Sequence, residues 1–157
     1  TTRASLRKPH GPLTPAMCSR LRRIARNICA DWAPDNPPEV SISLVDDREI
    51  EDLNRAWRDQ DKATDVLSFP QYDPPFPKGM PVLGDVVISI DTAARQAAEV
   101  GHGLSDELAV LLVHAMMHLL GHRHDEVDAA ARMAEAEHRW LSRSRIDVGL
   151  VGRARTD

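Results

Sequence analysis

Three histidines, His114, His118 and His124, stand four and then six residues apart in the string HAMMHLLGHRHD, with Gly121 between the second and the third. Imidazoles at i and i+4 project from neighbouring turns of one helix face, close enough to share an ion. A glycine that ends the helix lets a third ring swing in from the following loop. Three neutral nitrogen donors with an open fourth position are the pattern of a catalytic zinc ion, which lowers the pKa of a water to about 7. A structural zinc would normally take a fourth protein donor. The expectation is therefore one zinc ion per chain.

Three nearby residues bear on what such a centre could do. The offsets coincide with those of the zinc-peptidase signature HExxHxxGxxH, but Ala115 stands where those enzymes carry the glutamate that polarises water. A peptidase would have to recruit its base from elsewhere. His122 competes as third donor, yet on a helix continued through Gly121 it would lie about 12 Å of rise from His114, a long reach for two bonds of about 2.1 Å. His124 is the better candidate. Asp125 reads either as a fourth ligand or as an acceptor orienting a ring N–H. His10, His102 and His138 show no partner spacing and are expected at the surface.

The elements that must position these residues can be read from periodicity. Thr14 and Pro15 open a first helix of about 15–32, with Met17, Leu21, Ile24, Ala25, Ile28 and Trp32 on one face. Val40, Ile42 and Leu44 alternate with polar residues as in a half-buried strand. Asp46 or Asp47 caps a second helix carrying Ile50, Leu53 and Trp57. Two β-prone runs follow, DVLSF from Asp65 and GDVVISI from Gly84, separated by a loop with prolines at 70, 74, 75, 77 and 81, a candidate lid or edge. A third helix is expected from an Asp91 cap to Gly101. A fourth opens at Ser105, with Asp106 and Glu107 suited to its dipole, and carries LAVLLVHAMMHLL into the core. A last helix of about 126–144 presents Val127, Ala130, Met133, Ala134, Glu137, Trp140 and Leu141. Three strands with about five helices predict a single α+β domain, helices packed on a small mixed sheet, with the metal site on a buried helix and the loop after it.

Composition bounds the rest. At 157 residues and 42 % hydrophobic, the chain suits one domain over residues 1–157, without a stretch long enough for a membrane span. No secretory pattern is visible at the start, so the cytoplasm is the expected compartment. Cys18 and Cys29, about 16 Å apart along one helix, cannot bridge and read as buried small hydrophobes. The net charge of −4 is segregated: residues 1–30 carry seven basic groups and no acid, and residues 139–157 carry five arginines against Asp147 and Asp157. Such a cationic face suits a nucleic-acid partner, or is a solvated helix surface with a loosely ordered tail over about 146–157. Aromatic residues make up only 4 %, so recognition of a nucleic acid should rest on backbone charge and shape rather than on extensive stacking.

Two segments resemble the YbeY family, bacterial endoribonucleases and ribosomal RNA maturation factors. LNRAWRDQDKATDVLSFP, Leu53 to Pro70, is close to that family's LNxxxRxxDxxTDVLSFP, and LGDVVIS follows at Leu83. The histidine region is similar to HGxLHLxGxDH, with Ala115 for glycine, Met117 for leucine, and His122 and Arg123 where tyrosine and aspartate are common. The resemblance implies that His114, His118 and His124 hold zinc and that Arg58 faces the same cavity. A guanidinium there would fork onto a phosphate and stabilise growing charge. Thr64, Asp65 and Ser68 read equally as strand-start residues or as cavity wall, and Asp85 as a turn residue or a pocket acid.

The implied function is zinc-dependent, single-strand-specific endoribonuclease activity in ribosomal RNA maturation, including 16S 3′-end processing, and in ribosome quality control. Implied partners are single-stranded RNA, ribosomal RNA and the small subunit, with a ribosomal protein or an assembly GTPase besides, and neither membrane nor DNA. Two alternatives stand beside it, a non-catalytic assembly factor with a structural metal and a zinc peptidase.

Overall fold

The structure, a computed structural model, describes residues 13–60, 62–73, 79–123 and 125–146. The described residues form five helices and three strands in the order α1 (Pro15–Trp32), β1 (Glu39–Val45), α2 (Asp47–Arg58), β2 (Val66–Pro70), β3 (Val82–Ser89), α3 (Ile90–Val100), α4 (Leu104–Leu119) and α5 (Val127–Arg143). The sheet order is β1-β3-β2, with β3 parallel to β1 and antiparallel to β2. This is the expected α+β arrangement of helices on a small mixed sheet. Among the described residues no helix is long and apolar enough to cross a membrane.

Strand alternation sorts side chains to two faces. Val40, Ile42, Leu44, Val66, Val86 and Ile88 join the main core beneath α1, α4 and α5, while Val45, Leu67 and Val87 pack with Ile50 of α2 on the other face. α4 is buried on nearly every side, packing against α1, α3, α5, β2 and β3, as its unbroken hydrophobicity predicts. Cys18 and Cys29 are buried free thiols, and burial pushes Cys29 up to about 11.

Gly84 marks the tightest backbone approach. A Cβ there would meet the Phe69 carbonyl oxygen at 2.4 Å and Leu119 at 3.0 Å, so only glycine lets β3 lie this close to the end of β2.

Several local expectations need correction. α3 is capped by Ser89 rather than Asp91: strand and helix abut, and the Ser89 hydroxyl accepts from the Thr92 amide at 3.2 Å. α4 starts after Gly103, one residue before Ser105, without a side-chain cap. Glu107 does more than face a helix dipole, since it is fully buried and accepts from His102 Nε2 at 2.7 Å. His102 is thereby drawn inward from the surface expected for it, while His138 is exposed as expected. Val127 and Trp57, assigned to apolar faces, are 86 % and 71 % exposed. The opening residues, His10, prolines 74, 75 and 77, and the tail from 147 lie outside the described residues.

Asp47 ties the starts of α2 and α3 together. Its Oδ1 accepts from the hydroxyls of Ser89 at 2.6 Å and Thr92 at 2.7 Å, and its Oδ2 pairs with Arg95 at 2.9 Å. Burial acts to raise this carboxyl, but the hydrogen bonds and the Arg95 charge together hold it below its ordinary value of 3.8. A depressed folded-state pKa stabilises the fold above the unfolded value and loses that contribution as pH falls through the folded one. Asp47→Asn is therefore expected to destabilise by at most about 1 kcal/mol at neutral pH, Arg95 being exposed and Asp47 only part-buried. In thermal melts the gap to the wild type should close as pH drops below about 4, and a gap constant down to about pH 3 would contradict this assignment.

Candidate metal and phosphate site

The end of α4 builds the site. Gly121 adopts φ 97°, its amide bonds the His118 carbonyl at 3.0 Å, and the His122 amide bonds the Met117 carbonyl at 3.0 Å. This pair of bonds around a left-handed glycine is the Schellman stop, which turns the chain back across the last helical turn. His114 and His118 lie one turn apart with ring centroids 4.7 Å from each other and planes at 87°.

Each ring is oriented by an acceptor that has no proton to give. His114 Nδ1–H donates to Glu137 Oε1 of α5 at 3.2 Å, both groups being buried, and His118 Nδ1–H donates to the His122 carbonyl at 3.2 Å. A carboxylate and a carbonyl can only accept, so both imidazoles take the tautomer whose lone pair is on Nε2. That is the preparation metal-binding histidines receive from their outer partners, and the donor chemistry of this pair fits a zinc ion.

His124, the expected third donor, lies outside the described residues. Among the described residues no group of three potential ligands forms, so neither His122 nor Asp125 completes a cluster with His114 and His118. His122 contributes its backbone carbonyl instead. Its imidazole is held below the usual range, first by burial and then by the positive charges of Arg139 and Arg132. Asp125 is exposed beside Arg123, at 3.7 Å, and among the described residues it makes no hydrogen bond to a histidine ring. Glu137 makes one in its place. The sequence pattern set Glu137 on the inner face of the last helix among Met133, Trp140 and Leu141, and an acid in that apolar company was the one available signal of its role.

Arg58 reaches the same place from the other side of the molecule's sequence. α2 ends as Asp59 takes φ 53°, and the buried Asn54 amide donates to the Lys62 carbonyl at 2.9 Å, pinning the turn into β2. Arg58, the last helical residue, donates to the Ser68 carbonyl at 3.0 Å. Together with Ser68, Pro70, His118, Gly121, His122 and Arg123 it lines a cleft of about 220 Å³.

The residues with two open readings now divide. Ser68 belongs to the cleft wall. Asp65 is a buried strand-start residue, accepting from the Val66 amide at 2.8 Å and Gln96 at 3.3 Å, and Thr64 is buried beside it. Asp85 is exposed on the α2 face of β3, in a separate apolar groove of about 620 Å³. The basic ends of the chain also converge: Arg20, Arg23, Arg143 and Arg145 line another cleft of about 620 Å³, where Asp106 holds Arg20 at 2.7 Å. Ala115 is buried in the helix, where it offers no base to a peptidase.

Comparison with known proteins gives the family and the fold. The family model described as endoribonuclease YbeY matches residues 14–145. A protein of Myxococcus xanthus named endoribonuclease YbeY is 58 % identical over 106 residues, 66 % of this chain but only 35 % of that relative's length. Another of that name, from Anaeromyxobacter sp., is 46 % identical over 155 residues, 98 % of this chain and 75 % of the relative. A solution structure from Thermotoga maritima shares the fold with a TM-score of 0.59 at 23 % identity, covering 89 % of each chain. With the family match running from the first turn of α1 past the end of α5, this chain belongs to the endoribonuclease YbeY family.

Proposed function

We propose that this protein is a zinc-dependent endoribonuclease that cuts single-stranded RNA, acting in ribosomal RNA maturation and ribosome quality control. His114, His118 and His124 would hold the zinc, and Arg58 the scissile phosphate. The observation that carries this reading is the meeting of Arg58 and His118 in one cleft, with His114 backed by a buried carboxylate. The names of the relatives supply the substrate class, and the ribosomal role follows from the same resemblance.

The site's own residues suit a phosphodiester. Arg58 and Arg123 line the cleft, and Arg132 and Arg139 act electrostatically on His122, so a polyanion enters a cationic mouth. Arg58 is anchored through one N–H to the Ser68 carbonyl and carries further donors in a planar fork, the geometry that grips two phosphate oxygens. A zinc ion held here supplies Lewis-acid polarisation of a phosphoryl oxygen and acidifies a water molecule. The arginines converging between α1 and α5 would add backbone phosphate contacts, which makes binding steeply salt-dependent.

That second basic cleft shares no lining residue with the first, which is what favours the alternative of a non-catalytic RNA-binding assembly factor. Cleavage of a labelled single-stranded RNA by zinc-loaded protein separates the two. His114→Ala and Arg58→Ala are each expected to lower the rate by about a hundredfold or more, the loss typical of removing one transition-state donor or the metal itself. Equal residual cleavage by the wild type and both variants would leave only the binding role. Glu137→Gln should weaken zinc affinity by about tenfold in chelator competition, at the lower end of what loss of an outer partner costs. Unchanged affinity would mean that Glu137 does not orient the metal-binding ring.

A further inference from the structure

Trp57, near the end of α2, is a large apolar side chain that stays outside the core and does not line the His118 cleft. Its indole is 71 % exposed, while Trp140 is 5 % exposed and Trp32 packs partly against the core. Leaving so large an apolar group in water forgoes the stabilisation that its burial would yield. The ring is nevertheless braced. Phe69 meets it edge-on, with centroids 6.3 Å apart and planes at 67°, and the two rings share a groove with Leu53, Val45 and Val87.

Phe69 is also the link to the cleft. The Arg58 guanidinium lies 6.0 Å from the centre of the Phe69 ring, so cation and indole flank the same aromatic side chain. Ser68 and Pro70 line the His118 cleft, and Phe69 faces the opposite side of β2. A strand held at Arg58 therefore needs only to pass over the edge of β2 to bring a base onto Trp57. Charge orders the two contacts. The groove carries Glu49, Asp52 and Asp85 and no basic lining residue, which repels a phosphate and leaves the neutral base as the part that can enter.

We propose that Trp57 is a stacking platform for one unpaired base of the RNA, adjacent to the phosphate held by Arg58. Recognition then has a cationic half and an aromatic half on the two sides of one edge strand. A paired base, already stacked within a duplex, cannot lie flat on the indole, so the contact selects single strands. Any base has a π-face, so the contact carries little sequence preference. This inference rests on the proposed action on RNA and names the part of the substrate next to the site of cleavage.

The test is fluorescence-anisotropy titration of a labelled single-stranded RNA oligomer, with wild type, Trp57→Ala and Trp57→Phe, repeated on oligomers carrying one abasic position in turn. Trp57→Ala should bind about 5- to 150-fold more weakly, the range for loss of one base–aromatic stack, and Trp57→Phe should recover most of that loss. One abasic position should weaken wild-type binding and leave Trp57→Ala unaffected. Tight RNA binding that is equal in wild type and Trp57→Ala, or abasic penalties identical in the two, would overturn the stacking role while leaving the RNA reading intact. A wild type that binds no RNA would overturn that reading and this inference with it.

Discussion

The site depends on a constraint at the end of α4, where a helix too apolar to leave the core must carry two imidazoles and then stop. Burial of His114 obliges its Nδ1 hydrogen to find an acceptor, because an unsatisfied buried donor costs about 1–3 kcal/mol. Glu137 meets that need from α5. His118 meets the same need locally, through the carbonyl that the Gly121 turn folds back onto it. Both solutions leave the lone pairs on the outer nitrogens, so the features that keep the helix stable in the core also prepare it to hold a cation.

The sheet supplies the other wall by a similar economy. Gly84 lets β3 pass within contact of the end of β2, which sets Ser68 and Pro70 against the last turn of α4. The left-handed Asp59 and the buried Asn54 amide stop α2 where its final residue, Arg58, can reach over β2 to the Ser68 carbonyl. Arg58 and His118, far apart in the chain, therefore meet across β2, which lies at the edge of the sheet among the described residues.

How much of this was legible from the chain depends on the range of each interaction. Local spacing sufficed for the i, i+4 imidazoles, the terminating glycine, the alternation of Val40, Ile42 and Leu44, and the span of α1. Glu137 was legible only as an acid on an apolar face: its partner is 23 residues away on another helix, and no spacing rule links them. Trp57 follows Leu53 at the period of the buried face, yet α2 runs beyond the side chains that would cover it. Ser89 was hidden as a cap because it ends a strand and starts a helix at once. Arg58 had no local mark of function and was reached through the likeness of LNRAWRDQDKATDVLSFP to a known family.

X-ray absorption at the zinc edge on the purified, zinc-loaded protein counts the donors around the ion. The expected result is a four-coordinate shell of nitrogen and oxygen at about 2.0–2.1 Å, with three imidazoles and one light oxygen donor, and one imidazole fewer in His124→Ala. A sulfur shell at about 2.3 Å, a fourth protein donor closing the site, or an imidazole count unchanged by His124→Ala would contradict it.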